Sequence, residues 1–262
     1  MARPAPAVDR AVAVLNHLAA YPERTFTLSA LAQELGINKA TAHALLAALV
    51  DAGYLIRDDG TKNYTLGATL IALGNAASLT NPAARLALPY MERLTADLDV
   101  ECVASTAIHD EIVILTRAGT PRPFSLNAHP GQRLPLAPPL GAVFVAWANA
   151  EAVERWLAHL GPGLTEAELK PYRRALEFVR ERGYSVGLGP AAVVGDEEYV
   201  LTDLVKASYE VHHIGAPVFD PDGRVVLELI MFGFRDTIAR EDMPRYAERL
   251  CQAAEEVSKA LA

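Results

Sequence analysis

Apolar side chains recur at helical spacing from the first residues onward. Val8, Ala11, Val12, Leu15 and Leu18 predict an amphipathic opening helix, ended by Tyr21-Pro22. Thr27 predicts the N-cap of a second helix that buries Leu28, Leu31 and Leu35. Gly36 then permits a sharp left-handed turn. Asn38 is placed to cap a third helix by accepting from the Thr41 amide, with Ala42, Leu45, Leu46 and Leu49 inward and an end near Gly53. Tyr54–Arg57 and Asn63–Leu66 predict two short strands around the turn Asp58-Asp59-Gly60.

Helix, helix, tight turn, helix, hairpin is the order of a winged helix-turn-helix. In that motif the later helix enters the major groove and the earlier one crosses the phosphate backbone. A small α+β domain with no DNA role has the same pattern. Thr69–Leu79 predicts a further helix through Leu70, Leu73, Ala76 and Ala77, broken at Asn81-Pro82 and placed as a linker.

Beyond residue 81 the pattern is mixed. Helices are predicted over Pro82–Leu98, Leu140–Asn149, Ala152–His159, Glu166–Arg182 and Asp242–Leu261. Strands are predicted over Glu101–Ile108, Ile112–Ala118, Phe124–Ala128, Ile214–Phe219 and Val225–Phe234. His109-Asp110 and Pro221-Asp222-Gly223 provide the turns between neighbouring strands. The expected fold is α+β, a mainly antiparallel sheet with helices packed on it. The domain division reads 1–68 winged helix-turn-helix, 69–81 linker helix, and 82–262 sensory and oligomerisation domain.

Charge changes this picture only in part. The net charge of −8 argues against DNA binding when taken over the whole chain. Residues 1–70, however, hold six of the 24 basic and six of the 32 acidic side chains, so all the negative excess lies further on. No apolar run approaches the roughly 18 residues that span a bilayer. The start, MARPAPAVDR, has no secretory core, and Cys102 and Cys251 suit a reducing compartment. The expected location is the cytoplasm, with no membrane partner.

No Walker A sequence, dinucleotide fingerprint, nucleophile elbow or HExxH motif is present, and no Cys/His pair has zinc spacing. Adjacent His212 and His213 on a strand should point to opposite faces. No cofactor, metal or catalytic residue is expected.

The stretch TLSALAQELGINKATAHALLAALVDAGYLIRDDGTKNYTLG resembles the DNA-binding domain of IclR-type transcriptional regulators, as do AVDRAVAVLNHL before it and LIALG after it. HPGQRLPLAPPLGAVFVAWA, ERGYSV and IGAPVFDPDGRVVLELIMFG resemble the effector domain of the same family. The resemblance implies a GAF-like second domain that binds a small organic effector, often a carboxylate. It departs at Ala44, where the family usually carries arginine, at Ala40, often serine, and at His213, often small or cysteine. The stretch 187–209 is longer than the family's usual connection.

The DNA-contact candidates are Thr27, Ser29, Asn38, Lys39, Thr41, His43, Arg57 and Lys62. His43 has the chemistry to read a base edge, Lys39 to meet phosphate, and Arg57 and Lys62 to act from the wing. With Ala40 and Ala44 on the same face, polar readout is thin. A palindromic double-stranded operator and a homodimer or dimer of dimers are therefore expected. The effector-contact candidates are Leu126, Leu136, Gly141, Ala142, Phe144, Trp147, His213 and Ile214, arranged around a predicted helix N-terminus suited to a carboxylate. An enzyme carrying a winged domain, or an interaction module that no longer binds DNA, remains open at this level.

Overall fold

The computed structural model describes residues 5–80, 82–120, 128–188, 208–209, 211–234, 238–239 and 242–262. The chain divides into two compact units, Met1–Asn81 with Pro130–Gln132, and Pro82–His129 with Arg133–Ala262.

In the first unit the opening helix α1 covers Pro6–Ala20. Its buried residues are Val14 and Leu18, whereas Val8 and Val12 are 59% and 48% exposed. Two apolar stripes run along this helix, and packing on the third helix and the wing selects the second of them. Helix α2 covers Leu28–Glu34, and its Ala30 amide donates to Thr27 Oγ1 at 3.3 Å. Gly36 takes φ +63°, a value that favours glycine. Helix α3, Lys39–Asp51, is capped as its sequence implies: the Thr41 amide donates to Asn38 Oδ1 at 2.8 Å. Leu31, Ala42 and Leu46 meet between these helices.

The wing has one strand more than the pattern shows. Phe26–Thr27 (β1) pairs with Asn63–Leu66 (β3), which pairs in turn with Leu55–Arg57 (β2). Two residues are too few to show alternation, but Phe26 opposite Tyr64 closes the core with both rings buried. Helix α4, Thr69–Thr80, follows, and its Ile71 and Leu73 are 68% and 48% exposed.

The second unit is built on a six-stranded antiparallel sheet. Its strands are β4 (Glu101–Ile108), β5 (Glu111–Ala118), β6 (Arg133–Pro135), β7 (Ser185–Leu188), β9 (Val211–Phe219) and β10 (Val225–Phe232), in the order β6-β5-β4-β10-β9-β7. Short strands β8 (Ser208–Tyr209) and β11 (Ile238–Ala239) pair separately. Helices α5 (Pro82–Leu98) and α9 (Met243–Leu261) pack on each other and on the sheet. There Met91, Leu94, Leu250 and Val257 join Cys102, Ala104, Ile214, Ala216, Leu229 and Met231 in the main core. Burial pushes the Cys102 thiol up to about 12, so it is an inert apolar side chain.

Helices α6 (Ala142–Ala146), α7 (Ala150–Ala158) and α8 (Glu166–Arg182) complete the unit. The predicted helix Leu140–Asn149 is thus shorter than expected. Gly141, at φ +78°, delays its start, and Asn149 leaves it to cap α7, accepting from the Ala152 amide at 2.9 Å. The predicted strand Phe124–Ala128 lies outside the described residues except for Ala128, as does most of 187–209. No helix among the described residues is long and apolar enough to cross a membrane.

Candidate functional sites: a recognition helix and an enclosed cavity

Helix α3 presents Lys39, Ala40, His43, Ala44 and Ala47 to solvent, with Thr41 half-buried beside them. One side of this face is set by burial of Ala42 and Leu46, the other by the cap. Asn38 uses its carbonyl oxygen to hold the Thr41 amide, which leaves its own amide group free to donate outward. Thr27 is engaged in the same way at the start of α2, and Ser29 is exposed two residues on. Lys39 and His43 are four residues apart on one exposed face.

The wing turn is tighter than Asp58-Asp59-Gly60 alone suggests. Thr61 donates to Asp58 Oδ1 through its amide at 2.6 Å and through its hydroxyl at 2.7 Å. These bonds, amide first, hold the Asp58 carboxyl below the usual range. Lys62 follows at φ +59° and is exposed. Arg57 is exposed on β2 with its guanidinium 6.0 Å from the Tyr64 ring centre. Sequence reasoning missed Thr61, whose amide lies three residues after an Asp, the offset at which a carboxylate accepts in an N-cap-type bond.

In the second unit a small, partly open cavity of about 80 Å³ lies against the sheet. Its walls come from the sheet face carrying Ser105, His213, Glu228 and Ile230, and from Gly141, Ala142, Trp156, Tyr172 and Ala175. Three predicted effector residues are brought together there: Gly141, Ala142 and His213. The others are not among its lining residues. Leu136 packs against Gly141, where a side chain would otherwise stand. Trp147 packs edge-on against Phe219 with centroids 5.2 Å apart. Phe144 is buried in α6, and Ile214 points to the opposite face of β9, into the main core. Leu126 lies outside the described residues. The predicted helix N-terminus also shrinks in importance, because α6 has only five residues and little dipole.

His212 and His213 do not lie on opposite faces in the simple way alternation predicts. Gly187 pairs with His213 and Leu188 with Val211, so the strand bulges at His212. The two rings meet at 89° with centroids 5.8 Å apart. Burial, with His212 beside it, lowers the His213 pKa to about 4, so the ring is neutral at pH 7. Among the described residues no three His, Cys, Asp or Glu side chains gather as a metal site.

Two polar residues that sequence reasoning missed define the cavity floor. Glu228 is 4% exposed, and burial alone raises its pKa to about 8. Ser105 is paired with it across β4 and β10, fully buried, and its hydroxyl has no hydrogen-bond partner among the described residues. Glu228 was visible in the sequence as the one charged residue within the apolar run VVLELIMF. Trp156 donates to the Leu140 carbonyl at 2.8 Å and fixes the rim.

A winged helix-turn-helix joined to a sheet domain with an enclosed cavity is the build of a DNA-binding transcriptional regulator. The IclR helix-turn-helix domain matches residues 7–59, and the bacterial transcriptional regulator IclR C-terminal domain matches residues 79–259. The chain belongs to the IclR family of transcriptional regulators, which are not enzymes. It is 28% identical over 251 residues to the glycerol operon regulatory protein of Streptomyces griseus, covering 88% of this chain and 92% of that one. An IclR regulator from Alicyclobacillus acidocaldarius superposes with a TM-score of 0.74 at 25% identity, over 99% of this chain and 100% of that one. An IclR homologue from Microbacterium hydrocarbonoxydans, solved with 4-hydroxybenzoate, has a TM-score of 0.69 at 21% identity, over 96% and 98%.

Proposed function

We propose that this regulator binds a palindromic operator through α3 and the wing, and that a small organic effector in the cavity alters that binding. The observation that carries the DNA half is the exposed Lys39–His43 face on a helix capped by Asn38. Lys39 and the free amide of Asn38 meet phosphate, Thr27 and Ser29 contact the backbone from α2, and Arg57 and Lys62 contact it from the wing. Thr41 and His43 read base edges, and Ala40, Ala44 and Ala47 offer methyl groups to thymine. The chain acts in the cytoplasm, where its DNA is.

Few polar base contacts per helix call for more than one copy on the operator. The exposed apolar side chains Ile71 and Leu73, on different sides of α4, support a homodimer, and a dimer of dimers extends the same logic. A repressor role is supported by the name of a relative from Escherichia coli, the DNA-binding transcriptional repressor YiaJ, 27% identical over 231 residues.

Occupancy of the cavity by an effector is supported by its enclosure, its apolar walls and its few convergent polar groups. The homologue solved with 4-hydroxybenzoate supports a small organic ligand. The walls suit a carbon-rich or aromatic compound, here held by Gly141, Ala142 and His213 among others. The test is to sequence genomic DNA fragments retained by the full-length protein at two salt concentrations, with and without a metabolite mixture. The expected result is one enriched palindrome whose yield changes with metabolites. Fragments without a shared sequence would overturn the DNA half, and enrichment indifferent to metabolites would overturn the effector half.

A further inference from the structure

The cavity floor carries a row of polar groups that crosses four neighbouring strands. Ser105 on β4 stands opposite Glu228 on β10. Glu228 reaches over Gly215 on β9, into space left by the missing side chain. Ser185 on β7, paired with Gly215, ends the row, its hydroxyl 3.5 Å from the Gly215 carbonyl. Ser105, Glu228 and Ser185 line the same cavity.

The charge balance of this row is unusual for a site that would take an acid. No lysine or arginine lines the cavity among the described residues. Among the described residues its one carboxylic acid is Glu228, and its histidine, His213, is neutral at pH 7. A ligand carboxylate would lose its hydration beside another carboxyl group with no cation to replace the water. The hydroxyl of Ser105 is meanwhile buried and unpartnered among the described residues, a cost that a ligand can relieve.

We infer that the ligand of this cavity carries no negative charge and presents a hydroxyl or amine hydrogen-bond donor to the Glu228 carboxyl group, with the Ser105 hydroxyl as its second partner. This rests on the reading of the cavity as the effector site. An alcohol binds with Glu228 still protonated, donating its O–H to the carbonyl oxygen of the acid. An amine binds as the ammonium ion, and Glu228 releases its proton to solvent to become the paired carboxylate. The depressed basicity of His213 and the raised pKa of Glu228 agree with both, since each leaves the empty cavity uncharged at pH 7.

The test is calorimetric titration of the full-length chain at pH 7 with benzyl alcohol, benzylamine and benzoate, in two buffers of different ionisation enthalpy. Glu228→Gln and the cavity-filling Ala175→Trp are titrated in parallel. Benzyl alcohol or benzylamine is expected to bind the unsubstituted chain at least about tenfold more tightly than benzoate, because the benzoate carboxylate loses its hydration beside Glu228 with no cation to replace the water. Benzylamine should release a proton on binding and benzyl alcohol none, and the tighter of the two identifies the donor class. Glu228→Gln should remove the preference, and Ala175→Trp should remove binding. Benzoate binding in the cavity as tightly as the other two overturns the charge inference but leaves the effector site standing. Binding that survives Ala175→Trp, or none by any probe, overturns the effector site itself.

Discussion

The imidazole of His213 occupies the space in which any residue other than glycine at position 187 would carry its Cβ. The two residues face each other across β7 and β9 at the cavity wall. The glycine is therefore a packing requirement of the histidine rather than a turn device. Gly187→Ala should force the ring towards the cavity at a cost of about 1–3 kcal/mol, the usual penalty for overpacking. Thermal denaturation with a double-mutant cycle checks the cause. The cost should largely vanish in the His213→Ala background, and an undiminished cost there would show a different origin.

Glu228 and His213 pull stability in opposite directions with pH. Glu228 keeps its proton in the fold to about pH 8 but loses it near 4.5 when unfolded. Its contribution is full below pH 4.5 and is lost as pH rises through 8. His213 has a folded pKa of about 4 against 6.5 unfolded, so its contribution is present above pH 6.5 and lost as pH falls through 4. The two oppose each other between pH 4.5 and 6.5, and only Glu228 acts from 6.5 to 8. The second unit should lose about 1–2 kcal/mol over that upper interval. Denaturant unfolding followed by tryptophan fluorescence reports on this unit, because Trp147 and Trp156 both lie in it. Glu228→Gln should flatten the slope, and an unchanged slope would assign it to other groups.

Asn38 sets where α3 begins. Asn38→Ala leaves the Thr41 amide without its acceptor and should destabilise the first unit by about 1 kcal/mol. Asn38→Asp retains the acceptor and should restore most of that stability. It replaces the outward amide with a negative charge, however, so DNA affinity should stay low. Circular dichroism melts with gel shifts on the same DNA separate the two effects. Recovery of both stability and affinity in Asn38→Asp would remove the phosphate role given to the Asn38 amide.

The first unit was largely legible because its determinants are local. Thr27, Gly36 and Asn38 act within three or four residues of themselves, and the structure places each as its spacing implies. The choice between Val12 and Val14 on α1 was not legible, since it depends on what packs there. The cavity was harder for the same reason. Ser105, Glu228 and Ser185 lie far apart in sequence and meet only through strand order. Trp147 and Phe144 drew attention as large apolar side chains beside Gly141, yet they serve packing. The stronger signal was the reverse, a single glutamate in an apolar strand.

Lys39 and His43 occupy one exposed face but should fail differently when replaced. A lysine that meets phosphate contributes affinity without sequence information, so Lys39→Ala should weaken specific and scrambled DNA alike. It should also lower the slope of log affinity against log salt by about one. A histidine that meets a base edge contributes discrimination, so His43→Ala should cost about 1–3 kcal/mol on the operator and little on scrambled DNA. With Ala40, Ala44 and Ala47 around it, His43 has few polar neighbours on the helix to take over its base pair. Titrations of both variants against both DNAs at two salt concentrations give all four quantities. Equal losses on the two DNAs for His43→Ala would move base reading away from α3, to the wing or to DNA shape.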